Sequence, residues 1–580
     1  MPLAASLQIG RSALTASQVA IQVTGNNFAN AATPGYSRQV VGLAPTRETR
    51  LGAALLGRGV EVQGIRRQVD SALLSRLHNG LSNEAAAATD RELLSQVEST
   101  LNELSENDLS SELSRFFNSW SELANSPGST GARSLVVQQG STLAGFVRNL
   151  RQDLGNIRTQ IDQQLDASVT QANHLLSEIA TINTNIVQAE AGSSVANGLR
   201  DQRDSLIAEL SQYLDVTAVE QPSGVVDVLV GSLPVVLAGD SRGIELVRES
   251  TSSGLNAYVQ IQNPRQRLNV SSGRVGALLS QRGTLVDDTI ARLDQISSQI
   301  IFQVNRAHSG GYSAAPLTST RGTTAIDIAD ATRAFNDPAN VSFRDLPFHP
   351  TTGGFLVTVK NTASGSTETV RIDVDLDGIN AAGQPGYGDD TSVTDIRDAL
   401  NTVANLTATV NSDGTLSINA APGFEFSFAQ DTSGVLATLG VNTYFTGTDA
   451  TNIAVRPELL AQPGLLNAGR VEGGTPNDNG VAGAIAVLQD EPNAALGGST
   501  IRGSWQESAQ SIGLRTSAAA SRAQSTQLVR ESLEAQRAAI SGVSVDEESI
   551  NLLTYQRQYQ GAARFISVVD ELTQTLINLV

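Results

Sequence analysis

From Leu552 to Val580 the apolar positions step alternately by three and four residues: Leu552, Tyr555, Tyr559, Ala562, Ile566, Val569, Thr573, Leu576 and Val580, a heptad stripe interrupted only by Thr573. Phe565, Leu572 and Leu579 add a flanking column. The spacing predicts a helix of roughly 44 Å, at about 1.5 Å per residue, whose apolar side needs a partner. A second pattern of the same period opens the chain. Leu7, Leu14, Ile21 and Phe28 recur every seven residues with Gly10, Ser17 and Thr24 between them, a ridge flanked by places where another helix can approach closely. Gly25 and the run Asn26-Asn27-Phe28-Ala29-Asn30 weaken that helix, and Thr33-Pro34-Gly35-Tyr36 turns the chain, the proline pushing Thr33 extended.

Residues 40–70 read as an extended connector with short alternation at Val60, Val62 and Ile65. From Val69 to Tyr213 the period is helical. Leu109, Leu113, Phe116, Trp120 and Leu123 form one stripe that stops at Asn125-Ser126-Pro127-Gly128, and Leu150 through Ile186 keep one apolar side over several further turns. Trp120 on such a stripe is a core residue rather than a ligand site. Val216–Gln262 alternates as short strands, and Gly273–His308 is helical again. Gly310–Ala450 is rich in Gly, Thr, Ser and Asp, with strands at Phe355–Lys360 and Thr369–Leu376 and a helix at Thr394–Leu400. Helix returns from Trp505 to Ile540, and Gly542–Glu548 is a hinge whose acidic residues favour the N-terminus of the terminal helix. The expected fold is mostly α with β-rich insertions, its N- and C-terminal helices paired as a coiled coil. Residues 1–45 with 545–580 would form that terminal layer. Residues 46–312 with 455–544 would form a long-helix bundle carrying a small β-rich subdomain at 216–270, and 313–454 an outer β-rich inserted domain.

The net charge of −19, from 39 basic and 58 acidic residues, speaks against nucleic-acid or anionic-membrane partners, which need clustered cations. No cysteine is present, so disulfides and thiolate metal sites are excluded. No apolar run reaches membrane-spanning length, and Met1–Leu7 lacks the basic-then-apolar pattern of a cleaved secretory signal. Enzyme motifs are missing too. Lys360, the only lysine, is not in a phosphate-binding loop, and His78, His174, His308 and His349 form no zinc-binding helix motif. Asp373-Val374-Asp375-Leu376-Asp377-Gly378 matches the start of a calcium loop, but Gln384 stands where the bidentate glutamate belongs and the flanks alternate as strands. A strand running into a turn is the better account of this stretch. No catalytic residue, metal or cofactor is expected.

The string Gly25-Asn26-Asn27-Phe28-Ala29-Asn30-Ala31-Ala32-Thr33-Pro34-Gly35-Tyr36-Ser37-Arg38-Gln39 resembles the N-terminal signature of the flagellar axial family of rod, hook and hook-associated proteins. Phe116–Trp120 through Pro127, Leu199–Leu206 and Asn452–Arg470 are similar to segments of its hook-associated members. The resemblance implies a structural, non-enzymatic subunit placed between hook and filament. It also implies self-assembly, neighbours that include the hook protein and a second hook-associated protein, and type III export without signal cleavage to the extracellular flagellum, with a chaperone on the C-terminal helix. Leu7, Leu14, Ile21 and Phe28 would then be the N-terminal assembly face. Leu552, Tyr555, Tyr559, Ala562, Ile566, Val569, Leu576 and Val580 would serve both assembly and chaperone. Another axial subunit, or a secreted adhesin built on the β-rich insert, are the alternatives.

Overall fold

The computed structural model describes residues 2–51, 54–103, 107–192, 194–251, 254–315, 317–472 and 475–578. Helix α1 (Pro2–Ala29) leads into strands β1 (Gln39–Pro45), β2 (Thr49–Leu51), β3 (Ala54–Leu56) and β4 (Val60–Arg67). There follow α2 (Ser71–Leu101), α3 (Leu109–Asn125), α4 (Thr130–Ala189), α5 (Asn197–Tyr213), α6 (Gly273–Gln281) and α7 (Asp288–Ser309), and the chain returns through α8 (Ile501–Ser541) to α9 (Val545–Asn578). Residues 40–70, expected as a plain connector, form an antiparallel β1–β4 hairpin and a smaller β2–β3 hairpin.

The chain packs as two compact units. One gathers Met1–Leu93, Gln160–Gly283 and Ser517–Val580; the other gathers Leu94–Thr159 and Thr284–Thr516. The boundaries fall inside α2, α4 and α8 and, at Gly283–Thr284, between α6 and α7.

In the first unit, the C-terminal half of α4 buries Ile161, Leu165, Ala172, Leu175, Leu176, Ile179 and Ile186, the 3–4 spacing that holds a helix face in a core. Two asparagines on that helix anchor the β-rich stretch after α5. Asn173 both donates to the Ile244 carbonyl and accepts from its amide at 2.7 Å, and buried Asn183 does the same for Val226 at 2.8 and 3.1 Å. The strands so held are the antiparallel sheet of 216–220, 226–230, 233–237 and 240–241 and a second one of 244–251, 254–261 and 266–267.

In the second unit, α3 starts at Asp108, whose carboxylate accepts from the Ser111 amide at 2.6 Å, and ends at Ser126 before Pro127. Its stripe is fully buried: Trp120 packs edge-on to Phe116, Tyr444 and His308. The inserted segment holds two three-stranded antiparallel sheets, 319–321/416–420/406–410 and 367–374/353–361/424–429, with a helix at Val393–Asn401 that opens on a Ser392–Asp395 capping box. Their shared core includes Phe355, Val357, Ile372, Ile396, Leu400, Phe426 and Phe428.

Candidate functional site

Helices α1 and α9 lie antiparallel, with Asn27 meeting Glu548 at one end and Gly10 meeting Phe565 and Ile566 at the other. The face of α1 turned inward is the one with small residues: Gly10, Ala16, Ser17, Ala20, Val23, Thr24 and Asn27 are buried. A Cβ on Gly10 would stand 2.6 Å from a side-chain carbon of Ile566, so the missing side chain sets how close the helices come. The ridge is displaced from that face: Leu7, Leu14 and Ile21 are half-buried and Phe28 is 51% exposed. On α9 the heptad stripe is the inward face in its middle, where Ala562 and Val569 are buried and Leu552, Tyr555 and Ile566 half-buried. Tyr559 and Leu576 are exposed, and Val580 lies outside the described residues.

At the Asn27 end a polar lock closes the pair. The Asn27 amide donates to the Gln39 carbonyl at 2.9 Å and to Glu548 Oε2 at 3.1 Å, and its oxygen accepts from the Gln39 amide at 3.0 Å and from the Tyr36 hydroxyl at 2.8 Å. All four hydrogen-bonding places of one buried side chain are thus filled. Glu548 is 2% exposed, and Arg38 compensates its charge with Nε and Nη2 at 2.9 and 2.8 Å from Oε1. The Arg38 amide donates to the Ser541 carbonyl at 2.9 Å, which ties the turn to the end of α8.

The Leu199–Leu206 string on α5 supplies the other side. Asp201 accepts from the Ser37 amide at 3.3 Å and, with Asp204, from Arg67 of β4 at 2.9 and 2.7 Å. Burial pulls the Arg67 guanidinium down, but these two carboxylates outweigh it and hold it above its ordinary value. Gly35, at φ +81°, leaves room for Ser205, whose hydroxyl would lie 2.6 Å from any Cβ there. Arg200 makes two 2.8 Å bonds to the two oxygens of Glu190, and buried Arg203 donates to the Gly224 carbonyl at 2.6 Å. Burial, with the charges of Asp201 and Glu548, pushes the Tyr36 phenol up to about 12. The arrangement offers no activated nucleophile or paired acid and base; what it does is fix three distant segments together.

The structure therefore brings Asn26, Asn27, Asn30, Thr33, Pro34, Gly35 and Tyr36 into one turn. Asn30 donates to the Asn26 carbonyl at 2.9 Å, Asn26 donates to the Tyr36 hydroxyl at 3.2 Å, and Gly25 sits exposed on the last turns of α1. Arg38, Arg67, Asp201, Asp204 and Glu548 emerge only in three dimensions. Arg38, Asp201 and Asp204 stand inside the signature strings, whereas Arg67 lies in the 40–70 connector and Glu548 in the acidic hinge, and none of these settings names a partner. Of the acidic run, Asp373 pairs with Arg371 at 2.6 Å, whereas Asp375 and Asp377 gather with Asp390, their oxygens within 4.8 Å of one another. Asp390 already accepts from the Gly378 amide at 3.1 Å and from Asn336 at 2.7 Å.

Three family models match: the flagellar hook-associated protein FlgK helical domain over residues 94–321, the flagellar basal body rod FlgEFG protein C-terminal over 534–579, and the flagella basal body rod protein over 7–36. Flagellar hook-associated protein 1 of Salmonella typhimurium is 26% identical over 98% of both chains, and that of Escherichia coli 25% identical over 98% of both. The Bacillus subtilis protein of the same name is 35% identical over 38% of this chain and 44% of its own. The flagellar hook junction protein FlgK from Burkholderia pseudomallei aligns with a TM-score of 0.49 and 17% identity, over 80% of this chain and 100% of that one. The rod-type matches fall on α1 with its turn and on α9, the helical-domain match lies between them, and along 98% of its length the chain is similar to flagellar hook-associated protein 1.

Proposed function

We propose that this chain is a structural subunit of the bacterial flagellum that assembles between hook and filament and adapts one to the other, working by self-association rather than catalysis. The observation that supports this most is how little of α9 the chain itself covers. Of its 34 residues only Glu548, Ala562 and Val569 are buried. Burying one or two apolar side chains stabilises by about 1.5–3 kcal/mol each, whereas ordering the backbone costs about 1–2 kcal/mol per residue. Such a helix needs further cover, and Leu553, Val568, Leu572, Leu576 and Ile577 remain exposed for it.

In this reading neighbouring copies, the hook protein on one side and a second hook-associated protein on the other cover the terminal pair after assembly. Before assembly, an export chaperone shields α9 while the chain passes through the flagellar type III apparatus with its N-terminus intact. The ridge Leu7, Leu14, Ile21 and Phe28 is the outward N-terminal contact. Cells lacking the chain are expected to carry hooks without filaments and to shed filament subunits into the medium. Restoration by the full chain completes the test, and normal filaments in its absence would overturn the reading.

A further inference from the structure

The β2–β3 hairpin is a basic, partly apolar element on an acidic protein. Residues 46–58 hold Arg47, Arg50 and Arg58 against a single acid, Glu48, although the chain as a whole carries a net charge of −19. Arg50 pairs across the hairpin with Leu55, so the two share one face, and Leu55 is 63% exposed. At the far end of α9 the composition is reversed. Residues 565–578 contain Asp570 and Glu571 and no base. Val568, Glu571 and Leu572, at i, i+3 and i+4, share one helix face, with Val568 and Leu572 each 53% exposed.

Both features sit at the same level of α1. The hairpin leaves α1 where Arg58 donates to Gln8 at 2.9 Å and the Val60 amide to Ser12 at 3.2 Å, and Phe565 and Ile566 cross α1 at Gly10, between those residues. The chain thus presents, at one height, a basic apolar hairpin face at Arg50 and Leu55 and an acidic apolar helix face, neither covered by itself.

We infer that the β2–β3 hairpin of one copy docks on the α9 face of a second copy, Leu55 packing on Val568 and Leu572 while Arg50 pairs with Glu571. The inference rests on the junction reading above and names one of its contacts. Two different patches make a head-to-tail interface, and because both lie at one height the repeat runs sideways and builds a ring or a shallow helical turn instead of a closed dimer. Opposite charges in the rim fix register and exclude hairpin-to-hairpin pairing.

The absence of cysteine makes cross-linking a clean test. Cells expressing two full-length versions of the chain, one with Leu55→Cys and the other with Leu572→Cys, are expected to yield junctions that give a covalent dimer of the two under mild oxidation. A single chain carrying both substitutions should give a ladder of higher oligomers. Assembled junctions that remain monomeric, or a double-cysteine chain that closes only on itself, would overturn the inference. Charge reversal supplies a second arm. Arg50→Glu and Glu571→Arg should each weaken filament retention by roughly two- to fivefold, the range of an exposed ion pair, and should restore it when combined in one chain. A combined variant worse than either single one would count against the contact. Failure of the junction reading shows separately, as normal filaments in cells without the chain.

Discussion

Asn27 and Glu548 are 521 residues apart in the chain and 3.1 Å apart in space, and that one hydrogen bond joins the N-terminal signature to the start of the C-terminal helix. Neither residue is placed there by its own helix alone. Asn27 is held by both backbone groups of Gln39 and by Tyr36, and Glu548 by Arg38, so the turn after α1 acts as the adapter between the two helices.

Asn27→Asp keeps the size of the side chain and the acceptor for the Gln39 amide and Tyr36. It removes the donor to the Gln39 carbonyl and sets a carboxylate against Glu548. Leaving a buried polar group unpaired costs about 1–3 kcal/mol. Two such losses plus like-charge repulsion predict a loss of about 3 kcal/mol or more from the α1–α9 contact. Cells carrying this variant should export a soluble chain yet shed filaments, as read by filament counts and by chain in the medium. Wild-type filament retention would show that the lock is dispensable.

Gly10→Leu tests the close approach. The added side chain must displace Ile566, and overpacking of this kind costs about 1–3 kcal/mol. Filament retention should drop, and Ile566→Ala in the same chain should recover part of it by vacating the space. Equal defects in the single and double variants would argue that the helices are spaced by something else.

Periodicity carried the reading of α3, α4 and α7, because each buries a face at 3.6-residue spacing, and it located α1 and α9 as helices, with Ala562 and Val569 of the α9 stripe turned inward. The stop at Pro127 and the turn at Pro34-Gly35 were legible for the same local reason. Two things were not. The larger side chains at Leu7, Leu14, Ile21 and Phe28 attract attention as a face, yet the intramolecular contact uses the small residues beside them, where helices come closest. And Arg67, Asp201, Asp204 and Glu548 owe their roles to partners 134 to 521 residues away, as the separations of Arg67 from Asp201 and of Asn27 from Glu548 illustrate. Charges matched over such separations leave no spacing to read.

His308 gives the second unit a defined acid sensitivity. Its Nδ1 lies 2.8 Å from the Asn442 carbonyl and its Nε2 accepts from the Asn467 amide at 3.0 Å, a pattern that requires the neutral ring. Burial pushes its pKa down to about 4 from an ordinary value near 6.5. Above pH 6.5 the ring is neutral folded and unfolded alike, so stability is unaffected. As pH falls from 6.5 towards 4 only the unfolded chain takes up the proton, and about 3 kcal/mol of stability drains away. Urea unfolding followed by the fluorescence of Trp120 and Trp505, both in this unit, should show that decline in the native chain and a flatter profile in His308→Gln. Parallel profiles would remove His308 as the cause.

The last prediction concerns when α9 folds. Its inward face is lined by Leu552, Tyr555, Ala562, Ile566 and Val569, but the opposite side from Leu553 to Ile577 is open, and Asp546, Glu547 and Glu548 favour only its first turn. A helix with so little buried area exchanges by local opening rather than by unfolding of the whole chain. In the isolated full-length chain, backbone amides from Leu552 to Leu576 should therefore exchange fast, while those of Ile157–Ile179 in α4 stay protected. In assembled junctions the same α9 amides should slow by orders of magnitude as neighbouring copies cover Val568 and Leu572. Slow exchange across Leu552–Leu576 in the monomer would mean that the terminal pair is complete before assembly, and that neighbours use it without helping to build it.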